Sequence, residues 1–370
     1  MAEDATQAGG GLVFGQTARA RDIVGLAFAN FLLSLVSLTV YRFWARTRVR
    51  RYLWRKTTID GEPLDYAGRG SELLLSFAGA TVVFFIPLAF VNLYVGFGAQ
   101  SMQEETLYVI AAAYAVMTVV GNFGVYAARG YLLSRSRWRG IRFGQSGSGI
   151  AYGLLALLYL VLCVLTLGLF VPYMTARLTG RKRRNTWLGD RRFDFDGKGG
   201  DLFWPYLLSV LASVGATFVA LQVLFGLLTA AGLATPEIDP DNVVFDRETV
   251  LFLAAVYGTM IASLMLGSLV WYFYRAFEMN YLAGRTSLGG LRFRLKATAL
   301  SLAWLEIGNF FIIVLTLTIG LPFAQVRTMR YVFHRLETEG ALDIDSIGQG
   351  RERVPFVGEG IADGLGLLQI

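Results

Sequence analysis

Seven stretches of the chain are apolar over about 20 residues each, at 23–41, 73–95, 106–128, 150–174, 202–228, 249–274 and 299–324. The hydrocarbon core of a bilayer takes a helix of about 20 residues, so each stretch is long enough to enter a membrane. The rest of the chain cannot dissolve them. Only 16% of residues are charged, against about 25% in soluble domains, so a water-soluble globular enzyme is not expected. Arg19 and Arg21 precede the first stretch as in a signal peptide. The stretch then runs into Arg42, Arg46, Arg48, Arg50 and Arg51 with no small-residue cleavage site, and is expected to stay in the mature protein. The sequence therefore predicts a mainly α, polytopic membrane protein.

The cations decide how many stretches cross. The chain has 34 Lys and Arg against 27 Asp and Glu, for a formal net charge of +7. Of the 34, 33 lie in the N-terminal tail or in segments 42–72, 129–149, 175–201, 275–298 and 325–370. The two other connections, 96–105 and 229–248, hold Arg247 alone against Glu104, Glu105, Glu237, Asp239, Asp241, Asp246 and Glu248. Short loops rich in Lys and Arg stay cytoplasmic. Seven crossings, the alternative, would split the cations almost evenly between the two faces. Four crossings (73–95, 106–128, 202–228, 249–274) with 23–41, 150–174 and 299–324 dipping in and returning put 33 on one face. Two of the dipping segments carry a helix breaker near the end, Pro172 and Pro322. All seven tryptophans, Trp44, Trp54, Trp138, Trp187, Trp204, Trp271 and Trp304, lie in or near the basic segments, as an interfacial belt would.

The chain also repeats itself. A shift of 150 residues pairs Tyr131 with Tyr281, Arg135 with Arg285, Arg142-Phe143 with Arg292-Phe293, Pro172 with Pro322 and Arg177 with Arg327. A shift of 129 pairs Arg48 with Arg177, Thr57 with Thr186, Asp65 with Asp194, Gly70 with Gly199 and Leu73 with Leu202. Each copy contains two crossings, so the two repeats run parallel, related by an axis along the membrane normal. The resulting organisation is a tail (1–22), a first membrane repeat (23–149), a shared segment (150–174), a second repeat (175–327) and a cytoplasmic C-terminal tail (328–370). Within the basic segments, alternation such as Arg191-Arg192-Phe193-Asp194-Phe195 bounded by Gly189 and Gly197 predicts short strands, pairing as β-hairpins under the membrane on the cytoplasmic side.

The Leu165-Thr166-Leu167-Gly168 and Leu315-Thr316-Leu317 runs, each leading to a proline and then to Arg177 or Arg327, combine with the Gly-bounded Phe193/Phe195 strand and the Arg-Phe pairs at 142 and 292. Together they resemble the YjgN-like family of bacterial inner-membrane proteins of unknown function, over roughly 12–335. In the first copy Phe43-Trp44 replaces the family's Pro-Trp, and Val40 its Gly. The resemblance implies fold and bacterial inner (cytoplasmic) membrane location, and no activity.

Candidate functional residues are few. Glu306 is the one acid well inside an apolar stretch, a costly placement that by default marks function; Asn309, Arg292 and Arg294 are its expected partners. Asn30 and Asn309 occupy equivalent places in the first and last dipping segments, where they either line a substrate path with Glu306 or bond helices together. Tyr159 stands at the same place in the middle one. Arg48, Arg177 and Arg327 recur just after each dipping segment and suit anionic lipid headgroups. Arg181-Lys182-Arg183-Arg184 beside a membrane segment reads as an anchor, and nucleic acid is not an expected partner. Asp194 and Asp196 lack the rest of a calcium loop, Gly144–Gly149 reads as a flexible joint lacking the Lys-Ser/Thr of a phosphate loop, and one Cys with one His makes no metal or catalytic set. No catalytic residue, metal or cofactor is expected, and an enzyme is the weakest class. The leading expectation is a protein that transports or handles a lipid or small solute at a site between two repeats. The alternative is a non-catalytic scaffold or complex subunit that binds anionic lipid and a protein partner, or a second copy of itself.

Overall fold

A computed structural model describes residues 11–98, 104–230, 247–317, 319–344 and 346–349. Its elements alternate in pairs along the chain. Strand β1 (Phe14–Gln16) leads into helices α1 (Ala20–Val36) and α2 (Arg42–Arg55), then strands β2 (Thr57–Ile59) and β3 (Glu62–Tyr66). Helices α3 (Gly70–Gly98) and α4 (Glu104–Arg135) are followed by β4 (Ser136–Trp138) and β5 (Ile141–Gln145). The order recurs with α5 (Gly149–Leu165), α6 (Val171–Arg184), β6 (Thr186–Leu188) and β7 (Arg191–Phe195), then α7 (Gly199–Ala230), α8 (Arg247–Gly284), β8 (Thr286–Leu288) and β9 (Leu291–Leu295). Helices α9 (Ala299–Leu315) and α10 (Leu321–Phe333) and strand β10 (Leu336–Glu339) complete it.

The strands form one antiparallel meander in sequence order, β1 through β10. Two-residue turns at Asp60-Gly61 and Arg139-Gly140 take positive φ at both positions, the twist that tight hairpins favour. The sheet nearly closes on itself: Thr338 Oγ1 donates to Leu12 O at 3.1 Å, bringing the β10 end beside the β1 end. Strands β1 and β10 fall in the segments read as tails. Two ion pairs fix β10 on β9, Lys296 to Glu337 at 2.7 Å and Arg294 to Glu339 at 2.6 Å. Ile59, Trp138, Leu188 and Leu288 project from the first strand of each hairpin into a common core with Phe143, Phe193 and Phe293. Leu342, Ile344 and Ile347 of the segment after β10 pack into the same core.

The residues divide into two compact units. The first is Met1–Gly199, Asn280–Lys296 and Leu305–Ile370; the second is Gly200–Met279 and Ala297–Trp304. All ten strands belong to the first. In it α5 lies against α4, where a Cβ on Gly153 would come within 2.5 Å of Val119 O, so only glycine permits the approach; Tyr126 and Tyr152 stack alongside at 4.8 Å. In the second, Tyr206 packs edge-on to Trp271 and Tyr274.

Among the described residues, three helices are long and apolar enough to cross a membrane, within Leu107–Arg135, Gly199–Ala230 and Arg247–Gly284. These match three of the four expected crossings, and α3 at the fourth has 29 residues. The mainly helical, membrane-type architecture and the β-hairpins of the basic segments thus agree with the sequence. The three segments expected to dip have a different construction. Each is a helix of 17 residues, α1, α5 or α9, about 26 Å long at 1.5 Å per residue. A sharp turn then leads to a helix of 13 or 14 residues, α2, α6 or α10.

The turns explain themselves at atomic level. Leu38, Leu167 and Leu317 each adopt positive φ, near 50°, which stops a right-handed helix. A hydroxyl one residue earlier bridges the break in every case. Ser37 Oγ accepts from Tyr41 N at 2.8 Å, Thr166 Oγ1 from Phe170 N at 3.1 Å and Thr316 Oγ1 from Gly320 N at 2.7 Å. Pro172 and Pro322 sit in the first turn of α6 and α10, where a missing N–H costs nothing. They start the returning helix and lie outside the break itself, which is why the first hairpin turns equally well with Phe43 in the proline's place.

Candidate anionic-lipid site

Helix α2 carries cations on two faces. Phe43, Thr47, Arg50 and Trp54, at helical spacing, are buried, with Leu53 and Val49 beside them. These pack α2 onto α1, α10 and β3 through Ile23, Val326, Met329 and Tyr66. The register that buries this face turns Arg48, Arg51, Tyr52 and Arg55, spaced i, i+3, i+4, i+7, to the opposite side. There they line a cleft of about 350 Å³ with Lys56 and with Leu26 of α1. Four cations and a tyrosine meet in it, and no carboxylate is among the lining residues. Arg51 donates to Gly68 O at 3.2 Å, which anchors it to the strand-to-helix joint. Arg48 lies over the Tyr41 ring at 5.8 Å. Arg46 is on the same helix, and its guanidinium is held below its ordinary value, at about 10, by burial and then by repulsion from Arg50 and Arg42.

The sequence-predicted residues are placed as follows. Arg48 is in the cleft. Arg177 is exposed on α6. The Arg327 guanidinium crosses against α9, where a Cβ on Gly308 would come within 2.6 Å of its nitrogens. The recurrent arginines therefore have three different environments. Asn30 and Asn309 each bond the returning helix: Asn30 Nδ2 donates to Ala45 O at 3.4 Å and Asn309 Nδ2 to Thr328 Oγ1 at 3.1 Å. Their Oδ1 atoms are buried without a partner among the described residues. Tyr159, at the same place in the middle hairpin, instead packs on Phe170 at 5.7 Å. Glu306 is exposed on α9. Its expected partners bond elsewhere, Asn309 to Thr328 and Arg294 to Glu339. Asp196 approaches Arg285 at 3.8 Å. Gln145 closes β5 and Ser148 caps α5, accepting from Ala151 N, so the Gly144–Gly149 joint is a defined connection.

Sequence reasoning missed a set of buried hydroxyls. Thr57, Ser136, Thr186 and Thr286 open the four hairpins and each donates to the carbonyl four residues back. Each also accepts from a side chain of another element: Gln16 Nε2, Trp54 Nε1, Arg129 and Arg183 respectively. The pairing of Thr57 with Thr186 under the 129-residue shift, and of Ser136 with Thr286 under the 150-residue shift, is the signal that could have found them.

Comparison with known proteins gives few matches. One curated relative, the inner membrane protein YjgN of Salmonella typhimurium strain LT2, is 27% identical over 67 residues, which is 18% of this chain and 17% of the relative. The chain thus matches about a sixth of that protein's length. No solved structure matches. The family model for bacterial proteins of unknown function DUF898 matches residues 12–364, and the chain belongs to that family.

Proposed function

We propose that this chain is an integral inner-membrane protein that binds anionic phospholipid headgroups in the α1–α2 cleft and handles lipid at the cytoplasmic leaflet. The observation that carries the reading is the cleft itself: Arg48, Arg51, Arg55 and Lys56 against one nearby carboxylate, Asp22, which acts on Tyr52, with Leu26 as an apolar flank. Each basic residue near an anionic surface contributes about 1 kcal/mol. The name of the YjgN relative supports the inner membrane. The element order supports the orientation, because every helical pair leaves the sheet and returns to it. With the sheet cytoplasmic, α3–α4 and α7–α8 cross and come back, while the shorter α1–α2, α5–α6 and α9–α10 pairs turn within the membrane. Their tips are greasy: Leu38, Leu167 and Leu317 are 85%, 94% and 83% exposed, a placement that suits acyl chains and not water. Recurrence of this unit under the 129- and 150-residue shifts makes the protein a parallel repeat.

Two experiments test the reading. In proteoliposomes, labelled phosphatidylglycerol should exchange faster than labelled phosphatidylcholine, and Arg48→Gln with Arg55→Gln should remove the preference. Equal handling of both lipids by the native protein would overturn it, and tight binding without exchange would favour the scaffold. For topology, Asp190→Cys and Asn242→Cys are placed in a Cys163→Ser background. Periplasmic reagent should label position 242 and spare 190; labelling of 190 would refute the dipping hairpins.

A further inference from the structure

A second cationic cluster lies apart from the α1–α2 cleft. Arg129 near the end of α4 reaches across to the base of α6. It donates to Gln145 Oε1 at 2.6 Å, Thr186 Oγ1 at 2.8 Å and Lys182 O at 3.3 Å. Arg183 donates to Thr286 Oγ1 and stacks over Phe195 at 5.9 Å. Lys182, whose carbonyl accepts from Arg129, is close enough to both guanidinium groups to feel their charge, and among the described residues none of the three has a carboxylate partner. All three keep partial exposure, so the cluster can be reached from outside. Burial, followed by repulsion from Arg129 and Arg183, brings the Lys182 ammonium down to about 8.

The repeat shows that the fold does not need these charges. The 129-residue shift puts Leu53 and Trp54 where Lys182 and Arg183 stand, and the 150-residue shift puts Met279 at the place of Arg129. Leu53 is fully buried and Trp54 7% exposed, in an apolar core. Trp54 Nε1 supplies to Ser136 the bond that Arg183 supplies to Thr286. The 150-residue shift alone maps Arg129, Lys182 and Arg183 onto Met279, Val332 and Phe333, so three positions that are apolar in one hairpin region are cationic in this one, and three clustered cations without a carboxylate partner favour an anion.

We propose that Arg129, Lys182 and Arg183 form a binding site for a phosphate monoester group. A dianionic tetrahedral oxyanion can accept from several donors at once, and guanidinium and ammonium groups are the side chains that supply them. Such a group can come from a soluble phosphate or from the headgroup of phosphatidic acid.

The site is tested on the full chain by acylating Lys182 near pH 8 and reading the modification by mass spectrometry. Inorganic phosphate in the millimolar range, or nanodiscs containing phosphatidic acid, should cut labelling at least fivefold; whichever protects identifies the source. Chloride at matched ionic strength should not protect. Lys182→Met and Arg129→Gln should abolish the thermal stabilisation given by the protecting anion, whereas Arg48→Gln with Arg55→Gln should leave it intact, which separates this site from the lipid cleft. Protection by neither source, or equal protection by chloride, would overturn the proposal. The labelling arm uses the native chain and does not depend on any variant folding.

Discussion

The two basic hairpin regions, α1–α2 with β2–β3 and α5–α6 with β6–β7, share helix lengths, turn chemistry and strand register. They differ in what fills the junction between helix and sheet. In the first, Leu53 and Trp54 close it with apolar surface, and the cations face outward into the cleft. In the second, Lys182 and Arg183 occupy the junction. One backbone thus tolerates either a sealed joint with its charge outside or a charged joint. The fold fixes where the residues go and leaves the chemistry at each position free, so a functional site here has to be found by asking which copy departs from the packing solution.

The largest test of that contrast is Trp54→Ala. Truncating a buried Trp costs about 3–5 kcal/mol, and Ser136 loses its donor as well; detergent-solubilised protein should melt far earlier. Lys182→Leu should do the opposite and raise the melting temperature, by at least about 2 °C, in anion-free buffer. Its pH dependence has a definite sign. A lysine whose pKa is about 8 when folded and near 10.4 when unfolded destabilises the fold fully below pH 8, and progressively less as pH rises between those values. The gap between variant and native protein should therefore be widest below pH 8 and narrow above it; a gap constant from pH 7 to 10 would place the burial cost elsewhere. Thr166→Val removes the hydroxyl that Phe170 N donates to, about 1 kcal/mol, read as faster amide exchange at Phe170, with Ser37→Ala doing the same at Tyr41. The smallest effects separate the arginines. Arg48→Gln should weaken binding to phosphatidylglycerol vesicles about fivefold, and Arg177→Gln, exposed on α6, by less than about twofold.

Much of this was legible in the residues because it rests on period and length. Twenty apolar residues make a crossing helix, and alternation between glycines makes a strand. The turns were legible as places, from Pro172 and Pro322, but not as mechanism. Ser37, Thr166 and Thr316 look like ordinary helix residues, and their role appears only when the N–H they accept from is located. Strands β1 and β10 carry no hairpin signal, since each is short and its partner is remote or held by charge pairs. The cluster of Arg129 and Lys182 was invisible for a different reason. The two are 53 positions apart, and a run such as Arg181–Arg184 reads as an anchor until one of its members is found turned inward. Conversely Glu306, the most conspicuous residue in the sequence, lies exposed on α9, and its expected partners Asn309 and Arg294 bond elsewhere.

The sequential strand order has a consequence for how the protein is made. Each hairpin pairs with the one synthesised just before it, so membrane insertion and sheet growth can advance together, one helical pair at a time, with mostly short-range contacts to form. The exception is the seam between Leu12 and Thr338, which waits for the last strand. Until β10 emerges, the outer edge of β9 stays unpaired and the sheet's apolar core lacks Leu342, Ile344 and Ile347. A chain cut short before that point would display the open β9 edge and exposed core residues, a surface ready to pair with another chain.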